Sequence, residues 1–405
     1  PNITITPSSD LSYDTKYAIS YPSGAFIKNT GAGSSFVGTA YTFSVPPLAY
    51  ELWAWGSNSQ GNLAQNNDGG DYSSPVQIPG TTWGSIRGSD CGGASRTNLV
   101  RKLDGTLWAW GGNPAGNLGQ NNTVNYSSPV QIPGTTWTAN FGGTDALGAV
   151  RTDGTLWMWG QNPSGQLGLN NQTQYSSPTQ VGSDTNWSLI SGDSEKTMGI
   201  KTDGTLWVWG KNEGGGLGLN DAEDAHRSSP TQIPGTSWSK AVPGWNDRLG
   251  GAIRTDGTLW LWGNNGAGSL AQNNRTHYSS PVQVPGTTWV DCDCSSLATI
   301  ATKSDGTLWG WGRNEWGELG QNSNTYYSSP VQIPGTTWTK PTQIENGQRM
   351  AFKTDGTMWT WGYNPEGELG QNNRTQYSSP TQVPGSGWVE GSWSRSTGFL
   401  ALKQV

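Results

Sequence analysis

Charge is scarce in this 405-residue chain: Asp, Glu, Lys and Arg make up 13% of it, and the net charge is −6. No basic tract is present, which argues against a nucleic-acid partner, because a phosphate backbone is held by clustered Lys and Arg. Histidine is scarcer still, with His226 and His277 alone. Neither a Ser–His–Asp set nor a histidine-rich metal site assembles from two such residues. Cys91, Cys292 and Cys294 form an odd set without a CxxC spacing, so inert buried thiols are expected and no disulfide framework or zinc site is indicated. No run is long and apolar enough to span a membrane. The opening PNITITPSSD has neither the charged nor the apolar segment of a secretory leader. Cytosolic synthesis is the expectation there, with Pro1 following a processing site as the alternative.

Glycine and tryptophan are abundant instead, with 59 Gly and 24 Trp against only 32% hydrophobic residues. Helices do not tolerate so much glycine. Short strands joined by turns do, with indoles supplying the buried area that aliphatic side chains supply elsewhere. The fold class expected is all-β.

A phrase of the form DGTLWxWG recurs. Its Trp pairs fall at Trp53/Trp55, Trp108/Trp110, Trp157/Trp159, Trp207/Trp209, Trp260/Trp262, Trp309/Trp311 and Trp359/Trp361, spaced by 49 to 55 residues. Each pair leads into a glycine-rich segment such as NPSGQLGLNN, then SSP-(V/T)-Q-(I/V), then in six of seven cases a PGTTW-like phrase. A period near fifty built from strands points to a propeller or a β-solenoid.

The two chain ends decide between them. Asp-Gly is a two-residue hairpin signal of type I′, so the apolar run before it, such as LGAVRT at 147–152, pairs with the TLWxWG run after it. The copy at ELWAWG (51–56) has no preceding run, and TGFLALKQV (397–405) is such a run with nothing after it. Pairing of about 397–403 with about 50–56 closes a ring of seven four-stranded blades over residues 50–405. Closure removes exposed strand edges, whereas a solenoid would need polar capping repeats that are not evident. Residues 1–49, rich in Ser, Thr, Tyr and Gly, match no repeat and are expected to form an extended β-rich anchoring arm.

The pattern DGTLWxWGxNxxGxLG, followed by SSPxQV and a Trp, resembles the regulator of chromosome condensation repeat family over roughly residues 50–405. The near-identity of the copies is similar to the bacterial and bacteriophage branch. The resemblance implies a seven-bladed propeller with one blade shared between the chain ends.

Of the 24 tryptophans, 21 sit in three repeated positions. Packing between blades, with the indole N–H on a loop carbonyl, is expected of them in preference to seven carbohydrate pockets, which would leave an aggregation-prone surface. Lys102, Arg151, Lys201, Arg254, Lys303, Lys353 and Lys403 form a basic circle, read as exposed ion pairs with the Asp of each hairpin rather than as an anion-binding mouth.

Function is sought where copies differ. Trp316 in RNEWGELG is the leading candidate partner or ligand contact, with Trp245, Trp393, His226 and His277 behind it. The acidic loops with Asp68 and Asp71, or with Asp221, Glu223 and Asp224, lack the ordered spacing of a calcium loop. No catalytic, cofactor or metal residue is expected, and the chain is read as a non-enzyme. The leading reading is a structural or adhesion protein of a phage tail or capsid surface, bound to other virion proteins through residues 1–49 and exposed on the virion. A carbohydrate-binding lectin that takes a surface glycan is the alternative. Nucleotide exchange on a small GTPase, which the family name suggests, is opposed by the low basicity and by the lack of a wedge-like insertion.

Overall fold

Each Asp-Gly does turn the chain. In the computed structural model, which describes residues 16–19, 41–44 and 49–404 apart from 85, 87–96, 143–145, 194, 223, 245–247, 295–296, 344–346, 366 and 395–397, Leu156–Gly160 pairs antiparallel with Ala146–Arg151 across Asp153-Gly154. The turn is one residue longer than the expected type I′. Arg151 N–H donates to the Thr155 carbonyl at 3.0 Å and Gly154 N–H to the Arg151 carbonyl at 2.9 Å. Only the glycine has positive φ, 76° at Gly154. The reason is local: the Asp153 carboxylate accepts both the Thr155 N–H at 3.0 Å and its hydroxyl at 2.6 Å, which fixes a three-residue connection ending in a left-handed glycine.

Repeating this unit gives the blades. We number them I to VII by their LWxWG-type strands: Tyr50–Gly56, Leu107–Gly111, Leu156–Gly160, Leu206–Gly210, Leu259–Gly263, Leu308–Gly312 and Met358–Gly362. Blade III shows the order from the ring centre outward: Trp137–Gly142, Ala146–Arg151, Leu156–Gly160, Tyr175–Gln180. Six sheets have these four strands. Blade II has three, with a Trp83–Lys102 bridge in the innermost position. The outermost YSSPxQ strand is an edge, and a proline in each, such as Pro178, removes a donor that a foreign strand would use.

The ring closes as the half-motifs require. Gly398–Gln404 lies antiparallel to Tyr50–Gly56, with Gly398 opposite Gly56 and Gln404 opposite Tyr50. Blade I thus takes its two inner strands from the end of the chain and its two outer strands from residues 50–78. The architecture is all-β: seven blades of four antiparallel strand positions. Its one helical element among the described residues is a 3-10 turn at Glu213–Gly215. The first 49 residues form a separate unit, in which Lys16–Ile19 pairs with Tyr41–Ser44.

The core lies between blades and is built from the repeated residues. The second Trp of each pair (Trp55, Trp110, Trp159, Trp209, Trp262, Trp311 and Trp361) is completely buried. Its indole N–H donates at 2.7–3.2 Å to a loop carbonyl of the preceding blade, so every seam carries one such staple. The expected packing role therefore holds for these seven residues.

Candidate interaction face

In a meander of four antiparallel strands, the connections from first to second and from third to fourth strand leave the blade at one end. The Asp-Gly hairpins leave at the other. The hairpin face is uniform. Its basic circle is not a set of ion pairs with the hairpin aspartates, although Lys201 does pair with Asp184 at 2.8 Å. Six of the seven cations sit 4.0–4.9 Å from two indole centroids, as Arg151 does between Trp137 and Trp157. Lys403 is looser, at 5.6 and 5.9 Å. Cation–π attraction of this kind contributes about 0.5–2 kcal/mol a site. The charge is used for packing. The Asp of each hairpin turns to its threonine instead, and the Thr307 hydroxyl and N–H hold the Asp305 carboxyl below the usual aspartate range.

The opposite face is irregular. Its long third-to-fourth connections share one internal frame, set by a buried asparagine after each WGx. Asn314 donates from Nδ2 to the Ser323 carbonyl at 2.8 Å and the Thr325 carbonyl at 2.9 Å, and accepts the Leu319 N–H at 2.9 Å. What the frame displays differs from blade to blade. In blade IV, Glu213 pairs with Lys211 at 3.1 Å and accepts the Arg248 Nε–H at 2.6 Å. Burial opposes its ionisation, but Arg248 and Lys211 outweigh burial and hold Glu213 below the usual glutamate range.

Blade VI displays Trp316. This indole is half-buried and packs on Tyr363 of blade VII, with ring centroids 4.6 Å apart at 45°. Its backbone is fixed on both sides: Trp316 N–H donates to Glu318 Oε2 at 2.6 Å, and its carbonyl accepts the Gln376 Nε2–H at 3.0 Å. Beneath lie the buried Glu318 and Arg349, with Arg313 Nε 3.9 Å from Glu318 and also paired to Glu315. Burial pulls the Arg349 guanidinium down to about 10, against the opposing attraction of Glu318. An aromatic pair on an ordered, charge-matched base costs little side-chain entropy when a partner covers it.

Between the faces runs a channel of about 390 Å³ touched by all seven blades. The residue two places after the third repeated Trp is Ala139, Leu189, Lys240 and Asp291 where it lines this channel, and Lys340 and Glu390 where it lines a neighbouring cleft. Lys240 pairs with Asp291, the Lys340 ammonium donates to the Val389 carbonyl at 2.6 Å, and Glu390 accepts the Ile86 N–H at 3.0 Å. Half of the ring is alternating charge engaged between blades. The signal was present in the sequence at a fixed offset, but it is one residue deep in each copy.

The remaining sequence candidates separate. His226 Nδ1 accepts the Asn212 N–H at 3.2 Å and His277 Nδ1 the Asn265 N–H at 2.8 Å, the job that Asn125 does for Asn113 at 2.8 Å. Both imidazoles are loop braces. Trp245 and Glu223 lie outside the described residues, as does Cys91. Trp393 belongs to the innermost strand of blade I, Trp388–Ser394, and its side chain lies outside the described set. Cys292 and Cys294 are buried free thiols with Sγ atoms 3.6 Å apart, and burial pushes the Cys292 thiol up. Asp221 pairs with Arg227, and Asp71 accepts the Asn58 N–H at 3.1 Å. The recurring QNN joins blades: Asn121 has φ 57° and donates its N–H to the Ser176 carbonyl at 2.8 Å.

Comparison with known proteins agrees with this geometry. The profile of the regulator of chromosome condensation (RCC1) repeat matches residues 104–142, 153–193, 203–245, 305–352 and 355–390. Human WBSCR16 is similar in structure, with a TM-score of 0.75 and 18% identity over 88% of this chain and 99% of that one. Prp20p of Saccharomyces cerevisiae, whose structure was described with its binding to Gsp1p and histones, gives 0.72 and 15% over 88% and 91%. The yeast protein bound to Kap60 gives 0.72 and 15% over 88% and 90%. At these identities the likeness establishes the fold alone. No curated protein matches the sequence.

Proposed function

Because this chain belongs to the regulator of chromosome condensation repeat family, whose propeller holds irregular loops on a rigid ring, we propose that it is a non-enzymatic protein-binding platform. The observation that carries the reading is Trp316 stacked on Tyr363 over the buried Glu318 and Arg349. Relatives of the same fold bind proteins, as the descriptions of Prp20p with Gsp1p, histones and Kap60 state. The more specific form of the proposal is a structural or adhesion component of a phage tail or capsid surface. The near-identity of the blades, SSPVQIPGTTW being nearly unchanged in several, supports it. In that form residues 1–49 attach the ring to its particle, and the Trp316 face meets the outward partner.

Nucleotide exchange is the weaker reading, since the net charge of −6 and the loop residues described offer nothing specific to a GTPase. Carbohydrate stacking at Trp316 is also weaker, because Tyr363 already covers one side of the indole. The test is co-sedimentation with native particles, imaged by electron microscopy. The full chain is expected to travel with the particle, a chain starting at residue 50 to remain free, and Trp316→Ala to attach but lose the outward partner. Normal attachment of the chain starting at residue 50 would refute the arm; an unchanged partner profile for Trp316→Ala would refute the platform.

A further inference from the structure

Six of the seven seams between blades are built alike, and the seventh is not. Where blades I to VII follow one another, Asn66, Asn121, Asn170, Asn220, Asn273 and Asn322 each donate a backbone N–H at 2.8–2.9 Å to a serine carbonyl of the next blade. A glycine beside each lies so near the neighbouring strand that an added Cβ would fall within 3.0 Å of that serine, as Gly116 would with Ser176. At the seam where blade VII meets blade I, the corresponding Asn372 and Ser73 make no such bond, and a Cβ on Gly367 would stand 3.8 Å from Ser73 Cβ. The Trp55 staple across this seam is the longest of its kind, at 3.2 Å. The gap is a cavity of about 460 Å³.

The sequence of blade I also departs from the other copies here. Six positions separate Asn66 from Tyr72 in NNDGGDY, against five between Asn121 and Tyr126 in NNTVNY. Asn122, Asn171, Asn274 and Asn373 donate at 3.1–3.4 Å to the hydroxyls of Tyr126, Tyr175, Tyr278 and Tyr377. Asn67 makes no such bond to Tyr72. Tyr72 therefore lines the cavity with a hydroxyl that has no partner among the described residues, next to Asp71, Ser73, Asn372 and Arg374.

We propose that this closure-seam cleft binds a neutral saccharide of one or two rings. The available groups alternate: Tyr72 and Ser73 hydroxyls and the Asn372 amide both donate and accept, the Ser73 carbonyl and the second Asp71 oxygen accept, and the Asn372 N–H donates. A sugar hydroxyl also does both, so a mixed set suits it better than a set of one kind. Asp71 and Arg374 both line the cavity, so its lining carries no net charge that would select an ionic ligand. Tyr72 adds an aromatic ring for a sugar face, and the volume lies in the range of small-ligand sites, about 300–1,000 Å³. The cleft is separate from Trp316, so it stands or falls independently of the platform.

Saturation-transfer NMR with the full chain and a panel of glucose, galactose, mannose, N-acetylglucosamine and their disaccharides tests the site, with isothermal titration of each positive. At least one neutral sugar is expected to bind, and Tyr72→Phe with Asp71→Asn to weaken it tenfold or more, while Trp316→Ala leaves it unchanged. Asparagine retains the acceptor that holds Asn58, as Asn125 does in blade II, and Tyr72→Phe alone breaks no bond of the fold, so the test remains readable if the double variant is unstable. No binding by any sugar up to about 10 mM, or binding indifferent to Tyr72→Phe and Asp71→Asn, would overturn the proposal, as would a response to charged peptides alone.

Discussion

At the scale of single residues, most of what repeats here serves a hydrogen bond. The three tryptophan positions divide the work: one indole N–H crosses a seam, another donates to the hairpin threonine, as Trp309 does to Thr307 at 2.8 Å, and the third packs against a cation. The Asp of each hairpin contributes through ionisation. Its threonine lowers its pKa in the folded chain, so the contribution is complete above the ordinary aspartate pKa and is lost as pH falls through the lowered value. Replacing Asp104, Asp153, Asp203, Asp256, Asp305 and Asp355 together by Asn should lower Tm at pH 7. It should also flatten the fall of Tm between about pH 4.5 and 2.5, so that variant and parent converge in acid. Parallel acid slopes in a thermal melt series would contradict this account. In blade I, which has no Asp-Gly, Glu51 takes the place of the threonine and accepts the Trp53 indole N–H at 3.1 Å.

At the scale of elements, the LWxWG strand is the unit that both forms a blade and joins it to its neighbour. Trp311 is fully buried and donates at 2.7 Å to the Ser269 carbonyl of blade V, whereas Trp309 is half-buried. Trp311→Phe removes one of the two donors to a buried carbonyl, leaving the Thr299 hydroxyl at 3.1 Å, and opens a space beside it, at a cost of about 2–3 kcal/mol. Trp309→Phe keeps a ring beside Lys303 but removes the bond to a threonine hydroxyl, and should cost about 1 kcal/mol. Urea unfolding of the two variants checks the difference, and equal costs would show that the seam staple has no special weight. Strands, hairpins and the buried Trp stripe were legible in the sequence because they depend on alternation and turn chemistry within about ten residues. The Asn314 frame, the indole–cation sandwiches and the pairing of Trp316 with Tyr363 were not. Each depends on which side chains face one another across strands or blades, and a repeat period does not state that. The two-residue turn was misread for a related reason, since the threonine that lengthens it acts through its side chain.

At the scale of the whole molecule, the chain ends carry the architecture. A ring leaves no blade edge inside it unpaired, but only if Gly398–Gln404 returns to Tyr50–Gly56. Leu52, Ala54, Leu400 and Leu402 are buried there, and Leu52, Leu400 and Leu402 share a core cluster with Trp83 and Trp110 of blade II, so the pairing also supports the next seam. The same blade carries the irregularities: the loosest indole–cation site, the longest staple and the open cleft. A closing blade assembled from distant segments depends on the chain's most non-local contacts, which carry the largest loop-closure cost in the fold. A chain ending at Thr397 would expose Tyr50–Gly56 as an apolar edge strand flanked by unfilled core. Size-exclusion chromatography with light scattering should show it oligomeric or aggregated, with Tm well below the parent. Adding the peptide of residues 398–405 should return it to the parent's molecular mass by re-forming the strand. A truncated chain that kept the parent's mass and melting temperature would mean that the ring is held by its seams alone and that the terminal pairing is dispensable.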